Sequence, residues 1–391
     1  MKRLVLLGGG HAHIEVLRAL AAQPPGGAEV TLVTPSSRLV YTGMVPGVIA
    51  GHYALADSAI DLAVLARAAN ATLVLTTATH VAPNEREVTC MDGTKLSYDV
   101  LSMDVGSVPV IGDAVGVDRH AVAVRPMEAL VRGWVDVRAR AREGKVKSIT
   151  VVGAGAGGVE LAFAMDYSLR RDLKGDAPHV RIIADTPVPL VGIPEGARAR
   201  LRKRLARRNI GVHVGSAVKE VGERFVRLKS GIEFVSDATF WVTGAGAQPW
   251  VRESGFATDE HGFLLTNDFL QSVTYREVFG AGDCATQEHR GLPKAGVFAV
   301  RAAPQLAANL RAALSDAPLE RHVTSARHLA LISTGGKNAV GLWGGFSWQG
   351  YWAWAWKDHI DRGFVERYRV AMKQASSTTP NIQGTGSERT G

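Results

Sequence analysis

Residues 149–165 read "ITVVGAGAGGVELAFAM": an apolar run, a glycine cluster, then a stretch with helical apolar spacing. Gly153, Gly155 and Gly158 complete the pattern G-x-G-x-x-G. In that pattern the first glycine allows a tight turn, the second lets backbone approach a pyrophosphate, and the third lets helix and strand pack closely. The helix N-terminus that follows offers unpaired N–H groups and partial positive charge to phosphates. Further out, residues 4–20, "LVLLGGGHAHIEVLRAL", restate the arrangement. Gly8 and Gly10 are in place there, but His13 stands where the third glycine belongs. One such fingerprint is weak. Two, each between a strand and a helix, argue for two nucleotide units rather than for glycine turns without a ligand.

The alternation continues around both copies. "EVTLVT" (29–34) reads as the second strand of the first unit, and "HVRIIAD" (179–185) as its counterpart. "KLSYDVLSMDVGS" (95–107) and "FVSDATFWVTGAGAQP" (234–249) each read as a strand ending in a glycine turn. Strands alternating with helices predict βαβ units and parallel, doubly wound sheets, an α/β fold with two Rossmann-like domains. "LRKRLARRNIGVHVGSAVKEV" (201–221) reads as a basic helix, a turn and a strand. Its arginines form either a solvated face or a membrane contact. "EVFGAGDCAT" is a further apolar stretch ending in Gly280, Gly282 and Asp283, and "GLPKAGVFAVRAAPQLAANLRAAL" turns helical in its later part.

Bulk properties narrow the function. The chain has 391 residues, 46% of them hydrophobic, enough for two or three domains. Its 45 basic and 37 acidic residues leave a charge of +8, which suits anionic cofactors or a membrane surface. No zinc spacing, helix-turn-helix signature or RNA-binding aromatic motif is present, so nucleic acid is not an expected partner. Cys90 and Cys284 are the two cysteines, so there is no disulfide framework, and a reducing, cytoplasmic setting follows. The apolar run at the N-terminus is too short for a signal peptide, and no run of about 18 apolar residues predicts a membrane span.

Two nucleotide motifs at this separation, with a late "GAGDCA", resemble the two-dinucleotide-binding-domain flavoproteins, the pyridine nucleotide-disulfide oxidoreductase superfamily. The resemblance covers nearly the whole chain before its tail. It implies FAD on the first motif, NAD(P)H on the second, and a return to the FAD domain at the late Gly-Asp motif. The implied segments are 1–115 and 249–318 for FAD, 116–248 inserted for NAD(P)H, and 319–375 as a small C-terminal α/β interface or membrane-association domain. Residues 376–391, "SSTTPNIQGTGSERTG", are polar and aperiodic and read as a disordered tail. By resemblance Gly8, Gly10, Gly282 and Asp283 contact FAD, with Asp283 on the ribityl chain, and Val81 and Val297 join them. Gly153, Gly155, Gly158 and Asp185 serve the nicotinamide nucleotide, and Gly106 and Gly244 are the turns linking the domains beside the flavin.

No CxxxxC pair occurs in "RLVYTGMVPGVIAGHY" (38–53), so a dithiol relay is excluded. The chain is similar to type II NADH dehydrogenases, which pass hydride from NADH to FAD and then reduce quinone. Glu160 matches an acid that this branch keeps near nicotinamide and flavin, unless it is simply a carboxylate in an early helical turn. Closer still are the FAD-dependent proteins associated with selenide, water dikinase, which share the "GGGHAH" opening. "PKAGVF" resembles the segment under the flavin pyrimidine. There Gly296 allows close approach, a helix N-terminus stabilises negative charge on the reduced ring, and Lys294 either adds charge, meets the acceptor or lies at the surface.

Departures sharpen the reading. Where FAD units end the second strand in an acid, this chain has Thr34, so Ser36, Ser37 or Arg38 would hold the adenosine end. The second unit does have an acid, Asp185, which would accept from a ribose 2′-OH and repel a 2′-phosphate, favouring NADH; the alternative is an Asp that starts a turn. His11 would donate to the pyrophosphate, Ala12 would relieve crowding, and His13 would pack. Residues 343–356, "WGGFSWQGYWAWAW", carry five of the eight tryptophans. With Lys357, Arg362, Arg367 and Arg369 beyond them, they would seat residues 343–369 on the inner face of the cell membrane or form a packed cap or homodimer interface. The resulting expectation is an FAD enzyme passing hydride from NADH to a quinone. The alternative is a selenium- or sulfur-compound oxidoreductase with Cys284 as the attacking thiolate.

Overall fold

The computed structural model describes residues 1–377, and it contains the same supersecondary unit twice. In the first unit β1 (Lys2–Leu7) runs into α1 (His11–Ala22), then β2 (Ala28–Val33), β3 (Ala71–Val74) and β4 (Val100–Met103). β1 ends in four buried apolar residues, the pattern of a strand covered on both faces. The second unit repeats this with β5 (Ser148–Val152), α2 (Ala156–Leu173), β6 (His179–Ile183), α3 (Glu195–Arg207), β7 (Gly211–His213) and β8 (Ala238–Trp241). Before its last strand each unit inserts a three-stranded antiparallel meander, residues 78–97 in one and 218–235 in the other.

The chain then returns to the first unit through β9 (Val278–Gly280) and α4 (Gly296–Leu314). The first sheet has the order β9-β4-β1-β2-β3, and the second runs from Ala121–Ala123 through β8-β5-β6 to β7. All pairings in both sheets are parallel. The fold is therefore α/β, with two Rossmann-like domains. Its two principal cores lie against α1, α4 and the first sheet, and against α2, α3 and the second.

The C-terminal part is an antiparallel sheet of β10 (Leu329–Thr334), β11 (Gly336–Trp343) and β12 (Phe346–Gly350), followed by α5 (Tyr351–Ser377). It bridges the two units. Phe364, Val365 and Tyr368 of α5 join the core of the first, while Ile332, Val340 and Leu342 join that of the second. The expected tail starts at 376, but Ser376 and Ser377 are the last residues of α5; its remainder lies outside the described residues. Among the described residues no helix is long and apolar enough to cross a membrane.

The two glycine loops superimpose bond for bond. Gly8 N–H donates to Val33 O at 2.8 Å and Asp104 N–H to Leu7 O at 2.8 Å. The counterparts are Gly153 to Ile183 O and Val242 to Val152 O, both at 2.7 Å. Gly8 and Gly153 adopt φ of 91° and 121°, where a Cβ would also collide with the carbonyls of Asp104 and Val242. The copies part at the third glycine. A Cβ on Gly158 would strike Gly153 O, so helix and turn touch directly. At the equivalent place the fully buried His13 ring fills the gap, with Nδ1 2.6 Å from Gly8 O and Nε2 2.8 Å from Ser102 Oγ. A carbonyl only accepts, so Nδ1–H donates to it and Nε2 accepts from the serine hydroxyl. Burial pushes the ring down to about 4, which keeps it neutral at physiological pH.

His13→Ala removes a filled volume and leaves Ser102 and Gly8 O without this partner, so equilibrium chemical denaturation should show a loss of about 2–4 kcal/mol. A loss below about 0.5 kcal/mol, the size of an ordinary surface change, would contradict the ring's place in the packing.

Candidate active site

The first glycine loop faces a carboxylate that the motif did not announce. Asp104, one residue beyond β4, is 4% exposed, and its Oδ2 accepts the N–H groups of Ala12 at 2.7 Å and His13 at 3.0 Å. It thus caps the first turn of α1. A Cβ at Gly10 or Gly282 would run into this carboxylate, so those glycines make room for Asp104 as well as for any ligand. Burial pushes Asp104 up to about 7, against the pull of its two N–H donors. The signal in the sequence was an acid in the strand-to-turn segment "SMDVGS", where the second copy reads "FWVTGA".

His11 opens α1. Its ring lies 5.6 Å from Tyr41 and 6.0 Å from Phe364, and burial lowers it to about 4. Its Nε2 is buried with no hydrogen-bond partner among the described residues. Asp283 Oδ2 receives Arg125 Nη2 at 3.0 Å and Ser107 Oγ at 3.4 Å, and Arg125 also donates to Ser107 O. Arg125, absent from the sequence reading, ties the segment between the units to the expected ribityl contact. Gly106 makes its turn with φ of 67° just before Ser107. Gly296 opens α4, its Cβ position 3.8 Å from Thr42 Oγ1, and the partly buried Val297 follows. An orphaned ring nitrogen, the uncapped N-terminus of α4 and a glycine-lined approach fit a dinucleotide such as FAD.

Several expected contacts fall elsewhere. Val81 lies wholly inside the core of the meander, and its N–H is taken by Ser254 Oγ at 3.0 Å; it is a packing residue. Thr34 is buried with Oγ1 turned onto Ser36 O, and Ser36 Oγ in turn donates to Arg38 O, which leaves the exposed Arg38 side chain at the end of this segment. Lys294 Nζ is bound to Ala285 O at 2.6 Å and Thr286 Oγ1 at 2.8 Å over the Phe263 ring, and burial lowers it. It pins the loop after Asp283 and does not reach out to an acceptor. Cys284 is buried, its thiol directed at Ala281 O and Met103 O, and burial pushes it up to about 12. A thiol held in that state is no attacking thiolate. Cys90 is likewise buried, in the same core cluster.

At the second loop Gly155 caps α2 with open space before it, and Gly244 is equally open. Asp185 is exposed two residues beyond β6. The strand register pairs Thr34 with Ala184, so Asp185 stands one position further along than the residue it was compared with.

Glu160, in the second turn of α2, points toward the C-terminal part rather than to the helix surface. Its Oε1 accepts the Ser333 N–H at 2.7 Å, and burial raises its carboxyl above the usual range, with Lys357 opposing. Lys357 of α5 has a side chain 14% exposed, and its Nζ donates to Gly43 O and Asp361 Oδ2, both at 2.7 Å. Burial alone would lower it, but Asp361 and Glu160 hold it above the usual lysine range. Burial and the nearby Asp361 carboxylate raise the Tyr41 phenol well above its ordinary range, and the Tyr41 ring stacks 4.4 Å from Phe364. Glu160, Lys357, Asp361 and Tyr41 thereby bring together groups from the second unit, the C-terminal helix and the first unit. Of these four, Glu160 alone was among the catalytic candidates read from sequence; Lys357 was read there as a lipid contact, because an i, i+4 Lys-Asp pair on a distant helix carries no motif.

Residues 2–309 match the sequence family described as pyridine nucleotide-disulphide oxidoreductase. A probable NADH dehydrogenase of Dictyostelium discoideum is 29% identical over 233 residues, 54% of this chain and 51% of the relative, so the match spans about half of that protein. Among solved structures, sulfide:quinone oxidoreductase from Aquifex aeolicus superimposes with a TM-score of 0.79 at 19% identity, covering 95% of this chain and 92% of the other. NDH2 from Plasmodium falciparum in complex with NADH gives 0.79 at 14% identity, covering 95% and 98%. The paired glycine loops and the extent of the family match agree: this chain belongs to the pyridine nucleotide-disulphide oxidoreductase family.

Proposed function

We propose that the protein passes a hydride from NADH to FAD and on to a quinone. The observation that carries this reading is the Glu160–Lys357–Asp361–Tyr41 set, largely withdrawn from water, which gathers a raised carboxyl, an ammonium and a phenol between the two nucleotide units and holds no cysteine. FAD, when bound, supplies the two-electron redox chemistry. The chain's residues bind and orient. The α1 N-terminus, His11 and the Asp283–Arg125 pair would hold FAD; the α2 N-terminus with Gly155 and Asp185 would hold NADH. Reduction of a quinone to a quinol needs a proton beyond the hydride, and Glu160 is placed to hold it on its carboxyl, with the Lys357 ammonium beside it to favour release. A sulfur- or selenium-handling reaction through Cys284 has no such support.

The C-terminal surface supports docking on an anionic lipid surface. Phe346 and Trp352 are 79% and 54% exposed, and Trp348 stacks on Trp352 at 5.7 Å and Trp356 at 6.2 Å, giving one aromatic ridge. The basic helix α3 lies alongside it, with Arg200 and Arg204 bonded to Ser347 and Gln349 of β12. Indole rings beside arginines suit the boundary between acyl chains and headgroups.

Glu160→Gln should slow the quinone half-reaction by about 100-fold in stopped flow, with NADH binding unchanged. Since the raised carboxyl works in its protonated form, the wild-type rate falls as pH rises through that raised value, and the variant loses this limb. A variant that keeps both rate and limb refutes the role. Asp185→Asn should raise kcat/KM for NADPH relative to NADH by about tenfold, and no change would remove Asp185 from the ribose site. Trp352→Ala with Trp356→Ala should weaken co-sedimentation with phosphatidylglycerol vesicles by at least about tenfold. Equal sedimentation of both proteins would sink the membrane reading.

A further inference from the structure

We infer that Asp104 is a proton-carrying partner of the FAD diphosphate: FAD binds with this side chain as the neutral acid and takes up a proton wherever it was ionised beforehand. The inference rests on FAD occupying the first glycine loop, as proposed above. A diphosphate at the α1 N-terminus is held by the positive end of that helix, and Asp104 Oδ2 already accepts the Ala12 and His13 N–H groups there. Both anions would share one helix end in a region closed to water, where like charges repel strongly. The neutral acid removes the conflict without giving up the cap. Its carbonyl oxygen, Oδ2, still accepts both N–H groups, while the proton sits on Oδ1, the oxygen that faces Gly282. In the second unit the equivalent residue is Val242, and no such competitor exists.

The groups that surround Asp104 leave it as the one that titrates near neutrality. From α1, His11 and His13 are both lowered to about 4 and are uncharged. From the loop after β9, Asp283 is paired with Arg125 of the segment between the units, and Cys284 is raised to about 12 and stays a thiol. Lys294, from the loop before α4, is bonded to Ala285 O and Thr286 Oγ1. The Asp104 carboxyl itself lies at about 7 before any ligand adds its charge. FAD affinity should therefore be level on the acid side and fall by about tenfold per pH unit above that value, because each binding event then costs a proton.

The test measures FAD affinity by flavin fluorescence between pH 5.5 and 9, for wild type and Asp104→Asn. The expected result is a wild-type affinity that weakens about tenfold per unit at alkaline pH and a variant whose affinity stays level. Calorimetric titration of the FAD-stripped wild type at pH 8, in two buffers of different ionisation enthalpy, should show uptake of about one proton per FAD; this measurement needs no variant. FAD that binds with no proton uptake, or a wild type and variant with parallel pH profiles, overturns the role of Asp104 while leaving the FAD site intact. No FAD binding at any pH overturns the FAD reading itself, and the inference with it.

Discussion

Everything in this molecule that could hold a nucleotide depends on how closely each glycine loop lies against the end of the neighbouring strand. At Gly8 and at Gly153 a side chain would collide with the backbone carbonyl of residue 104 or 242, and the backbone takes a conformation that side chains avoid. That contact fixes where the strand stops and where the helix starts. The N-termini of α1 and α2 consequently emerge at the carboxyl ends of their sheets, the position where open α/β folds bind ligands. Loosening it by one methyl group would displace the helix end from the phosphate position and the strand end from its partner together.

The C-terminal helix supplies what the two loops cannot. α5 crosses from one unit to the other and buries Lys357 and Asp361 against Glu160 of α2 and Tyr41 of the first unit. Burying charges is costly unless they are paired, and here Lys357 pairs with Asp361 at 2.7 Å while Glu160 accepts the Ser333 N–H and is raised by burial. The same helix turns Trp352 and Trp356 outward. One element thus joins the two units on its inner face and exposes indole rings on its outer face.

The fold was legible because it is written in local patterns: an apolar run, a glycine triplet and a helical period, stated twice. Gly8, Gly10, Gly153, Gly155 and Gly158 lie at loops of the kind the fingerprint describes. What the sequence did not disclose depends on distance in the chain. Asp104 meets α1 across some ninety residues, Arg125 meets Asp283 across more, and Lys357 reaches Gly43 from the opposite end of the molecule. No spacing rule encodes those meetings. Lys294 and Cys284 misled because their residue types suit chemistry, whereas their hydrogen bonds and burial assign them to packing.

The two copies also explain the odd histidine. Among the places where they differ are His13 for Gly158, Asp104 for Val242 and Thr34 for Ala184, and these three cluster at the same end of the β1–α1 unit. The changes are coupled. His13 holds α1 off Gly8 through its ring, so the close helix-to-turn contact of the second unit is replaced by two hydrogen bonds. Its own N–H is then held by the Asp104 carboxylate. A glycine at 13 would leave Ser102 without its partner, and a valine at 104 would leave the N–H groups of residues 12 and 13 without this acceptor. Neither change stands alone, so the first loop carries a substituted version of the fingerprint in which a neutral imidazole and a titratable acid do the work of a glycine.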